Sequence, residues 1–189
     1  MSKEPKAFNA QHIDIAAFAR GQESLAQQTS AAAFPRLAEE LQGDPAAQPV
    51  AWQAQGQWHA QTGGAGQPWL DLAVQATVTL TCQRCLQPVE VPLDVQRAFR
   101  FVKDEATAEV QDEESEEDLL VISRDFDLHA LIEDELLMEL PLVPRHEQCP
   151  QPLVLNDAAT PAQEVQERPN PFAVLAQLRQ SPDAPGDKD

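Results

Sequence analysis

The chain has no tyrosine, only three cysteines, and thirteen lysines and arginines against thirty-one aspartates and glutamates. Each scarcity excludes something. A protein that grips a nucleic-acid backbone needs cationic side chains to displace counterions. A formal charge of −18 works against that and repels any polyanion at long range. Direct RNA or DNA contact is therefore not the expected activity, and a basic protein partner suits the charge better. Three cysteines, two of them in a CxxC, make no disulfide framework. No stretch approaches the ~20 apolar residues of a membrane span. The start, Met1-Ser2-Lys3-Glu4-Pro5-Lys6, leads into no apolar signal core. The expected setting is a soluble, reducing compartment, the cytoplasm, with no membrane partner. Aromatic residues are 5% of the chain, but hydrophobic residues at 42% suffice for a core. At 189 residues the length fits one domain with tails, or two small domains. Nine of the sixteen prolines fall after residue 140, as expected of a core with a flexible flank.

What the chain does have is two short pairs of soft ligands. Cys82-Gln83-Arg84-Cys85 and His146-Glu147-Gln148-Cys149 use every cysteine and one of the four histidines. Two such knuckles can close a tetrahedral site around Zn²⁺ with three sulfurs and one nitrogen. The candidate metal ligands are thus Cys82, Cys85, His146 and Cys149, and the candidate cofactor is a structural zinc ion. A site with four protein ligands leaves no place for an activated water. Two other readings stay open: unmetallated thiols, and thiol redox chemistry at Cys82 and Cys85. The redox motif usually opens a helix in a thioredoxin-like unit, whereas this one follows a strand. No Ser-His-Asp order, phosphate loop or nucleotide fingerprint is present, so no catalytic residue is assigned and no enzyme is expected.

The clearest strand precedes the first knuckle. Leu70, Leu72, Val74, Ala76, Val78, Leu80 and Cys82 alternate with more polar positions, a period of two with one face inward. A second alternating run holds Val89, Val91, Leu93, Val95, Phe99 and Phe101, and Pro92 puts its start on a sheet edge or bulge. The two make a hairpin with Cys82 and Cys85 at its tip. Upstream, Phe34–Leu41 reads as a short helix ended by Gly43. One or two strands follow, holding Trp52 and Trp58 and turning at Gly63–Gly66. Residues 104–118 are rich in acid and read as a solvated, mobile loop. Leu119–Ser123 reads as a short buried strand. Asp127 then N-caps a helix whose Leu128, Leu131, Ile132, Leu136 and Leu140 share one side. Glu133, Asp134 and Glu135 read as an exposed acidic face, and His129 as a surface residue. Pro141 and Pro144 end the helix and lead to His146. Residues 150–168 read as a polar linker. A short docking helix at 169–180 follows, with Asn170 as N-cap and Pro171 in its first turn. The candidate partner-binding residues are Asn170, Pro171, Phe172, Val174, Leu175 and Leu178, of which the last four make an apolar stripe. Residues 181–189 read as a disordered tail.

These blocks, in this order, resemble the bacterial YceD proteins, the large ribosomal RNA subunit accumulation proteins. The resemblance rests on Thr79-Leu80-Thr81-Cys82-Gln83-Arg84-Cys85, Asp127-Leu128 opening Glu133-Asp134-Glu135-Leu136, Leu140-Pro141-Leu142-Val143-Pro144-Arg145-His146, Cys149, and Pro169-Asn170-Pro171-Phe172-Ala173-Val174-Leu175. It covers roughly residues 65–180, and the first sixty only weakly. It implies a non-enzymatic cytoplasmic factor needed for 23S ribosomal RNA accumulation and large-subunit biogenesis. The acidic charge fits a partner that is a ribosomal protein or another assembly factor. The alternatives are a zinc-ribbon-like RNA-binding protein and a CxxC thiol oxidoreductase. The expected fold is an α+β domain over residues 1–149, with residues 1–60 poorly placed. It has an antiparallel sheet packed by the Asp127–Leu140 helix, a CxxC hairpin, and a flexible C-terminal tail carrying the short helix.

Overall fold

The computed structural model describes residues 8–60 and 66–150. In chain order its elements are helix α1 (Ile15–Arg20), strand β1 (Ser24–Ser30), helix α2 (Pro35–Glu40), strands β2 (Pro49–His59), β3 (Gln67–Thr81) and β4 (Pro88–Val102), helix α3 (Glu105–Asp112), strand β5 (Asp118–Val121) and helix α4 (Leu128–Glu139). Short 3₁₀ turns at Ala31–Ala33 and Pro45–Ala47 flank α2. The strands form one sheet in the order β1-β2-β3-β4-β5. The first four run antiparallel. Strand β5 lies parallel to β4, because α3 carries the chain back before it pairs.

The alternation along β3 is the organising pattern. Leu70, Leu72, Val74, Ala76, Val78 and Leu80 all face the core, opposite Phe99, Val95, Leu93 and Val89 of β4. Arg97 interrupts the apolar run of β4 at a core-facing position, opposite Leu72. It pairs there with Glu135 of α4 at 3.3 Å. On β2, Val50, Trp52 and Ala54 complete the buried face. Helices α1, α2 and α4 cover it with Ile15, Phe18, Leu37, Leu128, Ile132 and Leu136 in one cluster. Gly56 lets α1 approach β2: a Cβ there would stand 2.6 Å from the Phe18 ring.

Several expectations are corrected. The acidic stretch is not simply a loop: Asp104 caps α3 by accepting from the Thr107 N–H at 2.9 Å, and Glu105 adds negative charge to the first turn. Strand β5 is half-buried rather than buried, since it sits at the sheet edge. Glu133 and Glu135 are enclosed at 6% and 4% exposure, because α4 lies against arginines from α2 and β4. His129 is half-buried between Phe34 and Trp52, with ring centroids 5.5 and 5.7 Å away. The segment 8–60 belongs to the same core and adds strand β1, whose mixed alanine and glutamine sequence shows no alternation. Pro92 does sit at an edge, since β5 reaches only Phe99–Val102 of β4. The glycine turn at 63–66 is described only at Gly66. The linker from residue 151, the helix at 169–180 with Asn170, Pro171, Phe172, Val174, Leu175 and Leu178, and the tail lie outside the described residues.

Candidate metal centre

Strands β3 and β4 are long, and their hairpin carries Cys82 and Cys85 past the end of the sheet's other strands. The turn is closed by its own backbone. Cys82 N–H donates to the Gln87 carbonyl at 2.9 Å, and Leu86 N–H donates to the Cys82 carbonyl at 2.8 Å. Leu86 takes a φ of 60°, the left-handed region that a turn this tight demands. Helix α4 ends at Leu140 and Pro141, and the chain returns to the hairpin. There Gln83 N–H donates to the Pro144 carbonyl at 2.9 Å.

This brings all four sequence-predicted ligands together. One ligand atom from each of Cys82, Cys85, His146 and Cys149 lies within 4.8 Å of every other. Cys82 Sγ is 3.9 Å from Cys149 Sγ, and Cys85 Sγ is 3.5 Å from His146 Nδ1. Around a tetrahedral ion with bonds of ~2.3 Å to sulfur and ~2.0 Å to nitrogen, ligand pairs stand about 3.5–3.8 Å apart. The donor set therefore fits a metal ion with little movement. Cys82 and Cys85 are buried, whereas His146 and Cys149 are half-buried.

The surrounding groups suit the same purpose. His146 Nε2–H donates to the Pro88 carbonyl at 2.9 Å, which orients the ring with Nδ1 toward the thiols. Arg84 Nε donates to Cys149 Sγ at 3.0 Å, and its Nη2 reaches the carbonyls of His146 and Glu147 at 3.1 and 3.3 Å. Arg84 thus braces the second knuckle onto the first and offsets thiolate charge, and its own pKa is raised mainly by the Cys149 contact. Burial works against ionisation of Cys82. The N–H groups of Cys85, His146 and Arg84 and the His146 imidazole outweigh it, bringing the thiol down to about 5. Burial pushes the Cys85 thiol up, and the neighbouring sulfurs of Cys149 and Cys82 add to this. The roles of Leu86 and the Pro88 carbonyl have no signature in residue type. Only the fold of the turn shows them. With four protein ligands closing on one point, the arrangement can cross-link two distant segments but keeps no open position for a substrate.

Among the described residues no helix is long and apolar enough to cross a membrane. No solved structure matches the chain. A curated protein of Haemophilus influenzae (strain Rd), named "Large ribosomal RNA subunit accumulation protein YceD", is 36% identical over 109 residues, which cover 57% of this chain and 63% of that protein. The chain thus matches less than two thirds of that relative's length. Residues 70–179 match the sequence model of the family described as "Large ribosomal RNA subunit accumulation protein YceD". That span holds most of the β3–β4 hairpin, α4 and both knuckles and amounts to more than half the chain, so the chain belongs to the YceD family.

Proposed function

We propose that this protein supports accumulation of 23S ribosomal RNA, and so large-subunit biogenesis, as a non-enzymatic cytoplasmic factor working through a protein partner. The observation that carries the reading is the family match across residues 70–179, together with the name borne by the Haemophilus influenzae relative. Partner-mediated action is supported by the charge of −18, which favours cationic polypeptides over bare RNA. The partner is a ribosomal protein or another assembly factor, and the stripe of Phe172, Val174, Leu175 and Leu178 is one candidate contact. The ion at the knuckles is zinc, to which three thiolates and one imidazole are well suited. Its role is architectural, to hold the segment after α4 against the hairpin.

A zinc-ribbon-like RNA-binding protein would need a cationic face, and the charge speaks against one. A thiol oxidoreductase would need an exposed attacking sulfur, whereas Cys82 is 0% exposed and follows a strand. The test is deletion of the gene in its own host, with 23S RNA measured against 16S RNA and large subunits measured on gradients. Loss of both, restored by the wild-type chain, is the expected result. Normal 23S RNA and subunit levels after deletion would overturn the reading.

A further inference from the structure

Beside the metal centre the surface opens into a groove of about 600 Å³ lined by Leu80, Leu86, Leu137, Leu140, Pro141 and Leu142. Two of these leucines stand bare beside buried or half-buried neighbours. Leu142 is 95% exposed and Leu86 68% exposed, while exposed Met138 and Val143 flank lining residues in sequence. The large exposed hydrophobic residues elsewhere among the described residues, Val110 and Ile122, are scattered singly. Large apolar side chains left bare in one groove can anchor a partner. Its walls come from the two segments that carry the ligands. Gln83 and Leu86 belong to the first knuckle, and Pro144, which accepts the Gln83 N–H, leads into the second. The contacts that close the metal cluster therefore also hold the groove's sides together.

The one charged residue among the described lining is acidic. Glu40 lines the groove and, among the described residues, no lysine or arginine does; of the exposed charged residues next to lining positions in sequence, Glu39 and Glu139 are acidic and Arg84 and Arg145 basic. A second copy of the chain would bring a further −18 of charge and is disfavoured as occupant. We propose that this groove receives the apolar anchor of a cationic polypeptide segment: a leucine, isoleucine or phenylalanine flanked by lysines or arginines. The exposed leucines supply the affinity, and Glu40 together with the chain's charge of −18 favours the cationic flanks. This proposal rests on the partner-mediated reading above and places the partner's contact.

The experiment uses the full-length, metal-loaded protein and, as probe, the protein fraction extracted by high salt from large ribosomal subunits. A photocrosslinking residue is placed at position 142 and, as control, at exposed Val110 on α3. In parallel, binding is titrated for the double variant Leu86→Gly, Leu142→Ser. Glycine suits the φ of 60° at position 86, so the apolar side chain is removed without straining the turn. The expected result is a sequenced crosslink from position 142, absent from 110, to a lysine- or arginine-rich peptide. The double variant should bind about tenfold more weakly while keeping its metal. Equal affinity of variant and wild type overturns the groove proposal but leaves the partner-mediated function standing. So does a crosslink only to the chain's own residues 169–178 or to a second copy. If the wild type ignores the basic fraction and instead retains purified 23S RNA at physiological salt, both readings fail together.

Discussion

At Glu133 a buried carboxylate does the work of a helix cap from ninety-six residues away. Phe34 offers α2 no capping side chain, so the first N–H groups of that helix need another acceptor. Glu133 Oε1 accepts from the Arg36 and Leu37 N–H groups at 2.6 and 3.2 Å, and its Oε2 takes the Arg36 guanidinium at 2.9 Å. Glu133→Gln keeps the shape and removes the charge. We expect it to cost about 1–3 kcal/mol in urea unfolding, limited by the half-exposed arginine. Glu135 is buried for a different reason, and its desolvation raises the carboxyl pKa against the opposing pull of Arg97. A carboxyl raised in the folded state stabilises while it is protonated. That contribution is complete below the ordinary carboxylate range and is lost as pH rises through the raised value. Glu135→Gln should therefore compare least well with wild type at low pH and gain on it as the pH rises toward neutral. A stability difference that does not change across that range would contradict the assignment.

The element of consequence is the double knuckle. Its turn geometry and Arg84 brace hold the four ligands near tetrahedral spacing, so metal binding should tighten the segment from Pro141 to Cys149 without rebuilding the sheet. Protein purified without chelator should carry close to one equivalent of zinc by elemental analysis. Cys149→Ser should remove most of it and lower stability by at least about 2 kcal/mol at saturating metal. Hydrogen exchange should rise in the hairpin tip and the 141–149 segment and stay unchanged in β2. In the metal-free protein, Cys82 with a pKa of about 5 should give thiolate absorbance that persists down to that pH. A thiol depressed on folding stabilises fully above its ordinary range, and the contribution is lost as pH falls through the depressed value. Cys82→Ser should abolish both the absorbance step and that part of the pH dependence.

For the whole molecule the governing quantity is the charge of −18. Attraction to basic partners is screened once the Debye length shrinks to ~3 Å near 1 M salt. Binding to the basic proteins of the large subunit should weaken several-fold between about 0.1 and 0.5 M salt, chiefly through slower association. Purified 23S RNA should not be retained at physiological salt. Surface plasmon resonance with each probe in turn checks both expectations. A salt-insensitive association would mean that burial of apolar surface, and not charge, governs the encounter.

Much of the architecture was legible from local pattern. The period-two run from Leu70 to Leu80, the Asp127 cap, the helical leucines of α4 and the paired ligand spacing each carry their meaning within a few residues. Strand β1 and the parallel pairing of β5 were not legible, because both depend on partners far along the chain. The burial of Glu133 and Glu135 was hidden for the same reason: a carboxylate reads as exposed until an arginine from another element is laid against it. By itself the sequence determined the ligand types, their spacing, the alternating strands and the acidic charge, since these are properties of neighbouring residues. Tertiary structure alone decided that His146 faces Cys85 across sixty-one positions and that Arg84 braces Cys149. It also decided that bare leucines gather beside that cluster, because the contacts appear only once the hairpin and α4 have packed on one core.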